Sequence, residues 1–214
     1  EIKKAWDPQN IFNPNKIVDT PAMNTMLRYE PGQQTPVFKT VFRYPNQDVL
    51  RHAEQCNGSG DCRKTHLSGG TMCPSYMATK NEKDTTRARA NILREFLTHS
   101  DKINRFDHKE IYEVMELCLS CKGCKSECPS NVDVAKLKAE FLQQYFDANG
   151  VPLRSRIIGN FSTLSKAGSL LPGLYNLVMT GITSGLVKRV AGFAPKRSMP
   201  GMYKTTLKRW YSKH

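Results

Sequence analysis

The chain has 214 residues, 39% of them hydrophobic, with 32 Lys+Arg against 19 Asp+Glu and a net charge of +13. That apolar content excludes a disordered chain, and the length suits one domain with appendages. A membrane span needs about 20 consecutive apolar residues, and the best stretch, 167–187, is broken by Pro172 and several glycines, so none is expected.

The opening EIKKAWDPQN carries no initiator Met and no charged-then-apolar leader, so it reads as an internal piece of something longer. Residues 1–45 are rich in Pro and Asn and largely irregular. MLRY (26–29) and VFKTVFRY (37–44) flank Pro31-Gly32, which predicts a loose β-hairpin. Asn46 is the expected N-cap of a first helix through about Gln55, which delivers Cys56. Thr85 or Thr86 caps a second, with Ala90, Leu93 and Leu97 at helical spacing. A third, over 109–117, puts Ile111, Val114, Met115 and Cys118 on one side. A fourth starts near Asn131 with Asp133 in its first turn and stops at Asn149-Gly150. Two more are expected, 153–165 and 174–190, the second packing a ridge of Leu174, Val178, Ile182 and Leu186 on the core. The fold class is therefore all-α, in three parts: 1–45, 46–150 and 151–214.

Charge is divided unevenly. Residues 151–214 hold 11 Lys+Arg and no acid, which leaves 1–150 nearly neutral. The basic extension has three readings: a face docking a missing acidic domain, a contact with an anionic membrane surface, or a nucleic-acid footprint. Only Tyr203, Trp210 and Tyr211 offer the interleaved aromatics that nucleic acid would want, so docking or lipid is preferred.

The seven cysteines carry most of the information. An odd count cannot close into a complete disulfide set, and a chain without a leader is expected in the reducing cytoplasm, peripheral at most to the inner face of the membrane. Cys118, Cys121, Cys124 and Cys128 follow the spacing C-x2-C-x2-C-x3-C and precede Pro129. Three such thiolates wrap one [4Fe–4S] cluster while the fourth points toward a second. Zinc sites use separated knuckles or Cys/His pairs instead. The other group is Cys56-x5-Cys62-x10-Cys73-Pro74, the same pattern with Ser59 where the middle cysteine would stand. If the fourth cysteines cross over, Cys73 completes the cluster of Cys118, Cys121 and Cys124, while Cys56, Cys62 and Cys128 hold the other. That second site, with three thiolates, would take a [3Fe–4S] cluster, or a [4Fe–4S] cluster completed by water, Ser59 or another oxygen. Ser59 reads equally well as a plain loop residue between two glycines.

CNGSGDC…MCPSYMAT followed by CLSCKGCKSECPSNVDVAKLKAEF resembles the α-helical ferredoxin domain of fused FAD- and iron–sulfur-containing oxidoreductases of the glycolate oxidase and D-lactate dehydrogenase type. It is also similar to the iron–sulfur subunits of succinate dehydrogenase and heterodisulfide reductase. AWDPQNIFNPNKIV resembles the closing segment of FAD-linked oxidase domains, with Asp7, Pro8, Asn13, Pro14 and Lys16 matching. The resemblance implies a flavin domain upstream that oxidises a 2-hydroxy acid, two clusters here, and a downstream cysteine-rich domain or membrane quinone as acceptor. It implies no catalytic residue within this stretch. The rival reading is an iron–sulfur nucleic-acid-binding module with a structural cluster.

The histidines, His52, His66, His99, His108 and His214, share no ligand spacing and read as surface or packing residues, with His66 a candidate neighbour of a cluster. Arg87, Arg89 and Arg94 read by default as a solvated helix face, although positive charge near a cluster would favour its reduced form. Nucleotide-binding and hydrolase motifs are absent.

Overall fold

A computed structural model describes every residue except Ile17, Arg28, Ile182 and His214. The chain forms two units, Glu1–Val37 and Phe38–His214.

In the first unit, α1 (Ile2–Trp6) runs into a loop organised by one side chain. The buried Asp7 carboxylate accepts the backbone N–H groups of Ile11 and Phe12, both at 2.9 Å, and pairs with Lys3. The Lys3 contact, with the two N–H groups, holds its carboxyl below the usual carboxylate range. Asn10, Asn13 and Asn15 take positive φ, which Asn tolerates better than most residues, so the Asn-rich composition of this segment matches its conformation. Ile17, part of the oxidase-like motif, lies outside the described residues.

In the second unit, α2 (Val49–Glu54), α3 (Pro74–Thr79), α4 (Thr86–His99), α5 (Lys109–Glu116), α6 (Gly123–Glu127) and α7 (Val134–Asn149) surround one core. Val49 and Leu50 of α2, Leu93 and Leu97 of α4, Ile111 and Met115 of α5, and Leu137 and Phe141 of α7 are all fully buried. Helix α4 packs on α2, α5 and α7, and α2 also packs on α7. The helix starts follow their caps: Thr85 Oγ1 accepts the Ala88 N–H, and Asp133 accepts that of Lys136. The first helix begins later than expected. Asn46 is left-handed, with φ 61°, whereas Asp48 has the extended backbone of an N-cap and accepts the Arg51 N–H at 2.7 Å.

The molecule is helical, and no strand is found among the described residues, so the expected hairpin is not formed. Residues 39–42 show why. Their backbone groups are met by α7 side chains: the fully buried Glu140 carboxylate accepts the N–H groups of Val41 and Phe42, and Gln144 donates to the Lys39 carbonyl. A segment satisfied in this way has no need of a ladder. Arg28, within the other expected strand, lies outside the described residues.

Beyond Pro152 the described residues form five helices instead of two: α8 (Leu153–Gly159), α9 (Phe161–Gly168), α10 (Pro172–Thr180), α11 (Ser184–Val190) and α12 (Leu207–Tyr211). Gly159-Asn160 breaks the first expected helix, and Gly181, with extended backbone, breaks the second. The expected packing of the Leu174 ridge on the core is also overturned: Leu174 and Leu186 are 58% and 69% exposed. Val178 of the same ridge is exposed as well, and Ile182 is outside the described residues. The extension instead gathers Ile157, Phe161, Leu164, Tyr175, Met179 and Phe193 around an apolar pocket of its own, and Asn176 pins the chain back through both backbone groups of Met202 at 2.8 Å. No helix among the described residues is long and apolar enough to cross a membrane.

Candidate metal centre

Four cysteines from two distant stretches line one cavity. Cys73, just before α3, meets Cys118, Cys121 and Cys124, on the loop from α5 into α6, around an empty space of about 310 Å³ counted out to its open mouth. Cys128 is not among the lining residues. It ends α6, half-buried against the same core, with its N–H on the Cys124 carbonyl at 3.0 Å.

Local backbone geometry presents these thiols. Cys73 is left-handed, with φ 60°, and Pro74 starts α3 directly behind it, so the chain turns sharply at the sulfur. Ser120 and Lys122 are left-handed too, which curls the 118–124 loop around the cavity. Gly123 lies against Thr71, where a Cβ would come within 3.1 Å of the Thr71 hydroxyl, so the two cysteine loops touch at a glycine. Beside it, the Glu127 carboxylate accepts the Thr71 N–H at 2.7 Å, the Thr71 hydroxyl at 2.6 Å and the Met72 N–H at 3.0 Å. These bonds, the Thr71 hydroxyl first, hold its carboxyl below the ordinary value.

Two long helices start at the cavity. The Thr86 N–H at the head of α4 donates to Cys73 Sγ at 3.0 Å, with the Thr86 hydroxyl 3.2 Å from the same sulfur. Val134 and Ala135, at the head of α7, line the same cavity, and their backbone N–H groups counter the burial that raises the Cys124 thiol. Such N–H groups have no partner within their own helix and favour negative charge in front of them. On the cavity wall, Arg89 is 2% exposed and its Nε donates to the Val114 carbonyl at 3.0 Å. Its Nη1 donates to Ser75 Oγ at 2.9 Å and lies 3.9 Å from Cys73 Sγ, while its Nη2 is buried without a hydrogen-bond partner. Lys138 of α7 donates to the Cys118 carbonyl at 2.6 Å. Burial holds its ammonium below the ordinary lysine range.

Among the described residues, no three His, Cys, Asp or Glu side chains are placed to hold a single metal ion. A tetrahedral ion would draw its sulfurs to about 2.3 Å. Thiols spread around a cavity, beside helix N-termini and a buried guanidinium, fit a larger anionic group such as an iron–sulfur cluster.

Cys62 is buried and Cys56 half-buried against the same core, and neither lines this cavity. Burial pushes the Cys62 thiol up, the Arg87 N–H opposes it, and the charges of Cys73 and Cys56 add to the rise. Burial pushes the Cys124 thiol up in the same way. Iron would have to displace these protons on binding. Ser59 is exposed, and its N–H is held by Asn57 Oδ1 at 3.1 Å. Helices α2 and α7 meet through His52, whose Nε2 accepts the Asp133 N–H at 3.1 Å and whose Nδ1 faces the Gln47 amide. His66 is exposed, and His214 lies outside the described residues.

Arg89 corrects the solvated-face reading. Its signal lay in the spacing, since it stands four and eight residues before Leu93 and Leu97 on the buried stripe. Glu127 and Lys138 have no comparable signature, because their partners come from remote loops.

Residues 55–133 match the family model of the 4Fe-4S dicluster domain. This stretch is therefore similar to iron–sulfur domains that carry two clusters. The chain as a whole is similar to D-2-hydroxyglutarate dehydrogenase of Pseudomonas putida, 29% identical over 83% of this chain and 21% of the relative. It is 24% identical to that of Escherichia coli over 89% and 22%, and 25% identical to that of Haemophilus influenzae over 94% and 23%. The chain therefore spans about a fifth of the length of these relatives. No solved structure matches it.

Proposed function

We propose that residues 46–150 relay electrons one at a time from an upstream FAD domain, which oxidises a 2-hydroxy acid of the D-2-hydroxyglutarate class, toward a downstream acceptor. Two iron–sulfur clusters, when bound, supply reversible one-electron chemistry. The chain contributes thiolates, N–H groups that stabilise negative charge on sulfur, and a core that buries Cys62, Cys73 and Cys124 while Cys121 stays exposed. The ligation is crossed: Cys73, Cys118, Cys121 and Cys124 hold a [4Fe–4S] cluster, while Cys56, Cys62 and Cys128 hold a [3Fe–4S] cluster or a [4Fe–4S] cluster completed by a non-cysteine ligand. The observation that carries this reading is the cavity lined by Cys73 with the 118–124 loop, from which Cys128 is absent. Resemblance to much longer dehydrogenases supports the flavin partner.

The acceptor is a downstream cysteine-rich domain or a membrane quinone system. The acid-free extension suits docking on an acidic domain or on the anionic cytoplasmic face of a membrane.

Anaerobic iron and sulfide analysis with EPR tests the proposal. About seven to eight irons per chain with matching acid-labile sulfide, reducible in two distinguishable steps, are expected. Stoichiometric zinc without sulfide would overturn it.

A further inference from the structure

We infer that Arg89 raises the reduction potential of the cluster held by Cys73, Cys118, Cys121 and Cys124, making it the residue that biases electrons toward that site. The inference rests on the crossed assignment above. A guanidinium cannot shed its proton, so a buried one needs compensating negative charge. Arg89 is 2% exposed and has little of it. Its hydrogen bonds go to the neutral Ser75 hydroxyl and Val114 carbonyl and, at 3.9 Å, to Cys73 Sγ. The nearest carboxylate is Asp84, 3.9 Å from Nη2, and Asp84 already accepts the Thr79 hydroxyl at 2.7 Å. Nη2 is therefore a buried donor with a loose ion pair and no hydrogen bond, on the wall of a cavity lined by four thiols.

One-electron reduction of a cluster there makes and breaks no bond. It adds one negative charge inside the cavity, the electron coming from the reduced flavin upstream or from dithionite in a titration. The fixed charge of Arg89 is attracted more strongly to the reduced state, and low surrounding polarity magnifies the difference. Asp84 opposes it, so the two residues should shift the potential in opposite directions.

The experiment is an EPR-monitored dithionite titration of the full chain, prepared anaerobically, as wild type and as Arg89→Met, Arg89→Lys and Asp84→Asn. Arg89→Met should lower the reduction equilibrium constant of this cluster about tenfold, which is about 59 mV for one electron. The other cluster should shift much less. Arg89→Lys, which keeps the charge, should fall between Arg89→Met and wild type, and Asp84→Asn should shift the midpoint upward. An unmoved midpoint in an iron-replete Arg89→Met chain would overturn the inference, as would an Arg89→Lys shift as large as that of Arg89→Met. If Arg89→Met fails to hold iron, the sign of the Asp84→Asn shift decides: upward supports the inference, unmoved or downward overturns it. Failure of the underlying assignment is separate, and would appear as an unperturbed four-cysteine cluster in Cys73→Ala.

Discussion

A single carboxylate, Glu140, decides the course of the segment that enters the helical unit. It is fully buried and accepts two adjacent backbone N–H groups, from Val41 and Phe42, together with the Gln144 amide. Glu140→Ala would leave those donors unmet and should destabilise the unit by about 2–3 kcal/mol. Denaturant unfolding checks this, and faster hydrogen exchange at Val41 and Phe42 would localise the loss. Nothing in the sequence marks Glu140 as special. The extended stretch VFKTVFRY beside Pro31-Gly32 pointed to a strand, because local sequence does not reveal a carboxylate almost a hundred residues away. Arg89 was misread for a different reason: its spacing with Leu93 and Leu97 placed it on the buried stripe, but its charge suggested solvent. The cysteines were legible because x2 and x3 spacings are local geometry, fixed before any tertiary contact forms.

At the scale of elements, α2, which leads to Cys56, and α7, which follows Cys128, pack against each other. His52 bridges them with an unprotonated Nε2 that accepts the Asp133 N–H. Burial is the main reason its ring is held below the ordinary histidine value, with Lys136 next. The unfolded chain then binds the proton more readily, so the stability from neutral His52 is complete above about pH 6.5 and is lost as pH falls through the lower folded value. Unfolding of the anaerobic protein should be easier at about pH 5.5 than at about pH 7.5. His52→Gln should flatten that dependence, and an unchanged slope would remove His52 from the account. Thr85 heads α4 as its side chain dictates, whereas Asp133, expected in the first turn of a helix from about Asn131, is itself the N-cap of α7. The extension was not legible in the sequence. Its glycines broke two expected helices into four, and its aliphatic ridge stayed exposed because apolar spacing does not say which surface it meets.

For the whole molecule, the fully buried hydrophobic side chains all lie between Val49 and Phe141, among the described residues. Chain cut after Gly150 should therefore keep its iron and both EPR signals, while losing the salt-sensitive attraction to anionic vesicles expected of the basic extension. Loss of iron on truncation would show instead that the extension supports the cysteine loops. The central claim is the crossed ligation of two clusters, and EPR of the anaerobic full chain as Cys73→Ala and Cys128→Ala tests it most directly. Cys128→Ala should abolish the signal of the three-thiolate site and spare the four-cysteine cluster, whereas Cys73→Ala should perturb the four-cysteine cluster. The opposite selectivity, with Cys128→Ala damaging the cluster of Cys118, Cys121 and Cys124, would contradict the account.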